Sequence, residues 1–278
     1  MPRNPVCENP DMPLTSEARF LAETLIDGAR KTVQNADELF DEARLLADAG
    51  HVARALLLHQ ISLEECGKLE MLYVATAEVL RGQAVDMKRL SRAFSKHAAK
   101  NRTNAYFLAK SEAELAAEQQ DDIGAAHEAF NELQADFHEK SNDLKNASLY
   151  VDYDGLFRAP REVISAEHLD EVFNRNGTFM SMAFDKLAIL LRWGADLDAA
   201  AAEIAQWWAV LGMDDLDRDK PDSLVALKKC LAEVMQKGRD ALKPQPPRKQ
   251  VADQRIVGPV RLELGVARVW QRLTCSGK

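Results

Sequence analysis

The sequence predicts an all-α protein: a four-helix bundle with additional C-terminal helices. Two observations carry this. Long segments keep apolar residues at helical spacing and are separated by short breaks of turn-forming residues. One of them, from Val52 to Ala77, is apolar on nearly every face, as a helix surrounded by other helices must be. The 278 residues suffice for one sizeable core.

Residues 1–13 hold Pro2, Pro5, Pro10 and Pro13 and read as a flexible arm. Thr15 and Ser16 are good caps for a first helix, whose period runs through Leu21, Leu25, Ala29, Val33, Ala36 and Ala43 to a stop at Gly50. Gly28 is a place where this helix is expected to weaken or bend. A second helix from about His51 to Leu80, ended by Gly82, makes an antiparallel hairpin with the first. A third is expected from Asp86 to about Gln120, and a fourth from Ile123 to Ser148, with Phe130, Leu133, Phe137 and Leu144 on its apolar side. Residues 149–160 read as a structured loop of turn and extended residues. Further helices are expected at 165–174, 178–211 and 221–241, with Asn176 and Gly177 forming a turn between the first two. The expected domains are therefore the arm (1–13), the bundle (14–165), a helical extension (166–242) and a basic, flexible tail (243–278).

Within the apolar second helix, Glu64, Glu65 and Lys68 occupy positions where core side chains belong. Glu64 falls on a stripe with Leu57, Ile61 and Lys68, and Glu65 on the next with Leu58, Ser62 and Leu69. A buried carboxylate is costly unless paired or hydrogen-bonded, and Glu64 and Lys68 have the favourable four-residue spacing. Two readings follow from spacing alone: a structural ion pair, or a polar site built into the bundle core.

The formal charge of −8 argues against general nucleic-acid binding, but its distribution is uneven. Lys88, Arg89, Arg92, Lys96, Lys100 and Arg102 lie together with no acidic residue among them, while the rest of the chain has 30 basic against 44 acidic residues. On one continuous helix Arg89, Arg92, Lys96 and Lys100 share a narrow arc, with His97 at its edge. Arginine binds phosphate bidentately and histidine moves protons near neutral pH, so the strip suits a phosphodiester; the alternative is a solvated basic face.

Cys7, Cys66, Cys230 and Cys275 form no close metal-ligand pair, and Cys66 reads as inert packing. His59 and Glu64 are five apart, which does not place two ligands on one helical face. His127, His138 and His168 read as surface or capping residues. Phosphate loops and nucleophile elbows are absent. No metal or cofactor is expected, nor a membrane span, and a cytoplasmic location follows.

Asn35, Ala36, Leu39, Ala43, Leu46, Gly50 and then Glu64, Glu65, Gly67 and Lys68, together with Phe94, His97 and Lys100 and with Leu149, Tyr150, Val151, Asp152 and Pro160, resemble the AbiV abortive-infection family. The resemblance spans roughly residues 20–165. It implies a phage-defence protein similar to the HEPN superfamily, helical bundles of which many are dimeric, metal-independent ribonucleases with arginine, four to six residues, then histidine. Arg92 and His97 match that spacing, with Ala93 where the pattern places a polar residue. The implied roles are phosphate binding by Arg92 and proton transfer by His97 as catalytic residues, with Arg89, Lys96 and Lys100 contacting the RNA backbone. Glu64, Glu65, Lys68, Tyr150 and Asp152 are supporting residues, and Glu64 or Glu65 is expected to accept a hydrogen bond from His97 or to anchor Arg92. Five residues of regular helix would turn Arg92 and His97 about 140° apart, so either the helix breaks between them or two copies share the site. Implied partners are RNA, a second copy of the chain, and a phage-encoded trigger or inhibitory partner. The alternative function is a non-catalytic protein that binds a phage or translation component and arrests growth by sequestration.

Overall fold

A computed structural model describes residues 14–210; the arm, the helix expected at 221–241 and the basic tail lie outside the described residues. A compact unit reaches Ala205, and a second begins at Gln206 inside the last described helix. The described residues are almost entirely helical, as the periodicity predicts.

Helix α1 (Ser16–Asp48) starts where Thr15 accepts a hydrogen bond from the Ala18 amide (3.1 Å) and runs unbroken through Gly28. A Cβ at Gly28 would meet Leu72 at 3.8 Å, an ordinary contact distance. Gly50, at φ 81°, makes the turn into α2 (Val52–Leu80). Helix α2 is the centre of the unit: α1, α4, α6 and α8 all pack against it. That explains why its sequence is apolar all round, and Leu63 and Leu69, about 120° apart around it, are both fully buried.

The third predicted helix is instead three short ones: α3 (Met87–Phe94), α4 (His97–Ala105) and α5 (Glu112–Gln119). Asp86 caps α3, Lys96 is extended at the break before α4, and Ser111 with Glu114 forms a capping box on α5. Leu90 and Phe94 pack against the core, and α4 turns Lys100, Asn101 and Asn104 inward. Helix α6 (Ile123–Leu149) follows the fourth predicted helix closely. It runs antiparallel to α4: Asn101 meets His138, and the Gln134 amide donates to the Arg102 carbonyl (3.0 Å).

The predicted loop is a two-stranded hairpin, β1 (Asp152–Tyr153) and β2 (Phe157–Arg158), turning at Gly155, and a short helix α7 (Pro160–Val163) begins at Pro160. Helix α8 (Ala166–Ala195) corrects two expectations. It passes through Asn176–Gly177 without a turn, since burial of Val172, Asn176, Phe179 and Met180 outweighs the turn preference of that pair. It also shares one core with α1 and α2, so residue 165 does not separate an extension from the bundle. Asp196 interrupts the helix and caps α9 (Leu197–Val210) by accepting from the Ala199 amide. Trp193 is a core residue stacked on Tyr73, with ring centroids 5.2 Å apart. Trp207 is half exposed. No helix among the described residues is long and apolar enough to cross a membrane.

Helix α4 approaches α2 closely at Gly67, where a Cβ would lie 2.7 Å from the Lys100 carbonyl oxygen and 3.2 Å from Asn104 Oδ1. Asn104 locks the approach by donating to the Leu63 carbonyl (2.7 Å). Replacing Gly67 by alanine forces backbone apart and is expected to destabilise the protein by about 1–3 kcal/mol in denaturant melts. Gly177→Ala, in open space within α8, should instead stabilise by about 0.5–1 kcal/mol.

Candidate functional site

Glu64 is the residue on which α2, α4 and α6 converge. Its carboxylate is buried and receives Lys100 Nζ at 2.6 Å, Lys145 Nζ at 2.9 Å and His97 Nδ1 at 2.7 Å. Burial pushes the Glu64 carboxyl up, but the hydrogen bonds from Lys100, Lys145 and His97 together outweigh it and hold the group below its ordinary value. The residue is therefore a carboxylate at neutral pH. Two lysines around one carboxylate leave the cluster with an excess of positive charge.

His97 is the first residue of α4 and lies at the rim of this cluster. Its ring nitrogen Nδ1 donates to Glu64, while 54% of its side-chain surface is exposed and Nε2 has no partner among the described residues. A carboxylate on Nδ1 selects the tautomer whose Nε2 is free to accept a proton. Of the two glutamates, Glu64 is the one that orients the histidine. Glu65 pairs with Lys68 (2.5 Å), so the Glu64–Lys68 pair expected from spacing does not form; Glu64 faces α4 and α6, whose lysines take Lys68's place.

The basic strip divides in two. Lys88, Arg89, Arg92 and Lys96 are exposed, and among the described residues none of them has an acidic partner. Arg92 lies in the last turn of α3, with Nε donating to the Lys88 carbonyl at 3.2 Å, and two non-helical residues, Ser95 and Lys96, separate the end of α3 from His97. Arg92 makes no hydrogen bond or ion pair with His97 or with either glutamate, so neither glutamate anchors it. Lys100 is different from its neighbours: it is buried against Glu64 and is not an exposed cation available to an RNA backbone. The cause is the helix break, which rotates α4 relative to α3 and takes Lys100 off the arc of Arg89 and Arg92.

Tyr150 and Asp152 do not join the cluster. Tyr150 is exposed, and Asp152 accepts a hydrogen bond from the adjacent Tyr153 amide (2.8 Å). The residue that α6 supplies is Lys145, about one turn before the end of that helix, which the sequence reading missed. Its signal was present: Phe137, Ser141 and Lys145 form one line down the apolar side of α6, and a lysine on such a line needs a buried acid. Asn101 and Asn104, both buried on α4, were missed for the same reason.

The remaining candidates have structural roles. His59 is enclosed by Phe40 and Phe173, and burial pushes it down to about 4. Burial pushes the Cys66 thiol up to about 12, in keeping with inert packing. His168 closes the cap of α8 with Ser165. His138 is neither surface nor cap: it is half-buried, facing Asn101. Among the described residues no group of three or more His, Cys, Asp or Glu side chains is arranged to hold a metal.

Removing the Glu64 charge leaves Lys100 buried without its counter-ion. Glu64→Gln is expected to lose about 3–5 kcal/mol at pH 7, measured by denaturant unfolding. Because the folded protein holds this carboxyl below its ordinary 4.5, the wild-type advantage is fully present above that pH. It should disappear as pH falls through the folded value, bringing the two unfolding curves together in acid.

Residues 24–181, more than half of the chain, match the family model of AbiV, of the HEPN type. Over 113 residues the chain is 44% identical to y4gJ, an uncharacterized protein of Sinorhizobium fredii (strain NBRC 101917 / NGR234); the match covers 40% of this chain and 59% of that protein. The chain thus spans little more than half the length of this curated relative. No solved structure matches it. The family match covers α2, α4 and α6 and every residue of the Glu64 cluster, and the chain belongs to the AbiV family of HEPN-type abortive-infection proteins.

Proposed function

We propose that this protein is a phage-defence endoribonuclease that needs no metal, with His97 moving the proton and Arg92 holding the scissile phosphate. The observation that carries the reading is the Glu64–His97 pair, a buried carboxylate that fixes an imidazole by Nδ1 and leaves Nε2 facing outward. In the reaction, Nε2 takes the proton of the ribose 2′-hydroxyl. The 2′-oxygen attacks phosphorus, the bond to the 5′-oxygen breaks, and a 2′,3′-cyclic phosphate remains on the upstream fragment. Arg92, with Arg89 and Lys96, all exposed on the segment that leads into His97 and without an acidic partner among the described residues, offers cations for the charge on the phosphoryl oxygens. Lys100 and Lys145 act one step removed, keeping Glu64 ionised and in place.

The family resemblance adds a second copy of the chain, with the α3–α4 corners of two protomers facing each other across one RNA strand. A non-catalytic reading, in which the corner binds RNA or a translation component and sequesters it, draws on Arg92 making no hydrogen bond with His97 within one chain.

Incubation of the folded wild type, Arg92→Ala and His97→Ala with total RNA in chelator separates the two. The nuclease reading expects cyclic-phosphate ends with the wild type, lost at least about a hundredfold in His97→Ala, the contribution typical of a general base. Intact RNA with the wild type in the presence of a phage trigger, alongside undiminished defence by His97→Ala, would sink it.

A further inference from the structure

A second histidine shares the seam between α4 and α6 with His97. His138 precedes Lys145 on α6 by seven residues, which returns to the same helical face within about 20°. Lys145 is the residue that reaches Glu64 from that face. Across the seam, Asn101 stands one turn beyond His97 on α4, and its Nδ2 lies 3.3 Å from Nδ1 of His138. Helix rise therefore puts the two histidines at levels about 6–10 Å apart along that seam. Each is held through Nδ1, His97 by a carboxylate and His138 by an amide. The Nε2 of His138 has no partner among the described residues and is not among their buried unpaired atoms.

The amide matters chemically. Asn101 is 1% exposed, and its Oδ1 is buried without a donor. When Nδ1 of His138 is bare, Asn101 Nδ2 donates to it; when the ring is an imidazolium, rotation of the amide presents Oδ1 to accept from Nδ1–H. Because Oδ1 has no other partner, that rotation breaks no further hydrogen bond. Asn101 can thus hold His138 in both protonation states, whereas Glu64 favours the proton on the Nδ1 of His97. Ser141, between His138 and Lys145 on the same line, adds a second buried unpaired polar atom to the seam.

We infer that His138 is the general acid that completes the cleavage, an assignment that rests on the ribonuclease reading. As His97 Nε2 accepts the 2′-hydroxyl proton and the 2′-oxygen bonds to phosphorus, the P–O5′ bond breaks. The electron pair left on O5′ takes the proton from Nε2 of the His138 imidazolium. One proton is accepted and one released, and exchange with water resets both rings.

The test compares two oligoribonucleotides, one with the ordinary linkage and one with sulfur in place of the bridging 5′-oxygen, whose thiolate leaves without a proton. His138→Ala is expected to cleave the ordinary linkage at least about a hundredfold more slowly than the wild type and the sulfur linkage at nearly the wild-type rate. His97→Ala should be impaired on both. Wild-type cleavage of the ordinary linkage by His138→Ala, or an equal loss on both linkages in a variant with wild-type circular dichroism, would overturn the inference while leaving the nuclease reading intact. Should His138→Ala unfold, His138→Gln retains a partner for Asn101 and is read in the same way. A wild type that cleaves neither linkage removes the nuclease reading and this inference with it.

Discussion

The buried charge of Glu64 is the constraint from which the rest of the site follows. A carboxylate taken out of water into a helical core must be compensated by nearby donors, and α2 cannot supply them, since Lys68 turns to Glu65. Compensation comes from α4 and α6, each placing one lysine on Glu64. Two separate helices are thereby tied to one atom pair on a third. His97 completes the set and is the only one of the three donors with most of its side chain in solvent. A requirement of stability thus sets the orientation of the group with the chemistry.

The same logic repeats along α2 at lower stakes. Glu70 is buried and paired with Lys186 of α8, whose Nζ also lies 3.7 Å from the centroid of the Phe107 ring. Glu65 has Lys68. Three carboxylates on the central helix thus each have a cation, and two of them take it from a different helix. Apolar packing alone tolerates sliding and rotation of helices, whereas a buried ion pair has one register. Gly67 sets the distance: without a side chain there, the α4 backbone approaches closely enough for Lys100 to reach Glu64.

The helix break at Ser95 and Lys96 separates two kinds of positive charge. Before it, Lys88, Arg89 and Arg92 are exposed; after it, Arg102 is exposed as well, while Lys100 is consumed inside the protein. A basic strip that looks uniform along the chain is therefore a surface feature joined to an internal support. His97 stands at the junction, with one ring nitrogen facing each side.

By itself the sequence determined the helical class, the ends of α1, α2 and α6, the non-helical segment after α6, the centrality of α2 and the presence of charges among its core positions. These are legible because helical periodicity, caps and turn glycines act over a few residues, and because charges in an apolar helix stand out against their neighbours. Tertiary structure alone decided which partners those charges take. The sequence offers Lys68 to Glu64 at a favourable spacing, yet Lys100 and Lys145, 36 and 81 residues away, win the contact. Spacing also joins Asp86 to Gln120 in one helix, and packing breaks it twice; it proposes a turn at Asn176–Gly177, and burial carries α8 through it. The reason is common to all three: local preferences are worth a few tenths to about one kcal/mol per residue, while burying a side chain or leaving a buried charge unpaired is worth several. Where the two compete, the fold follows the larger.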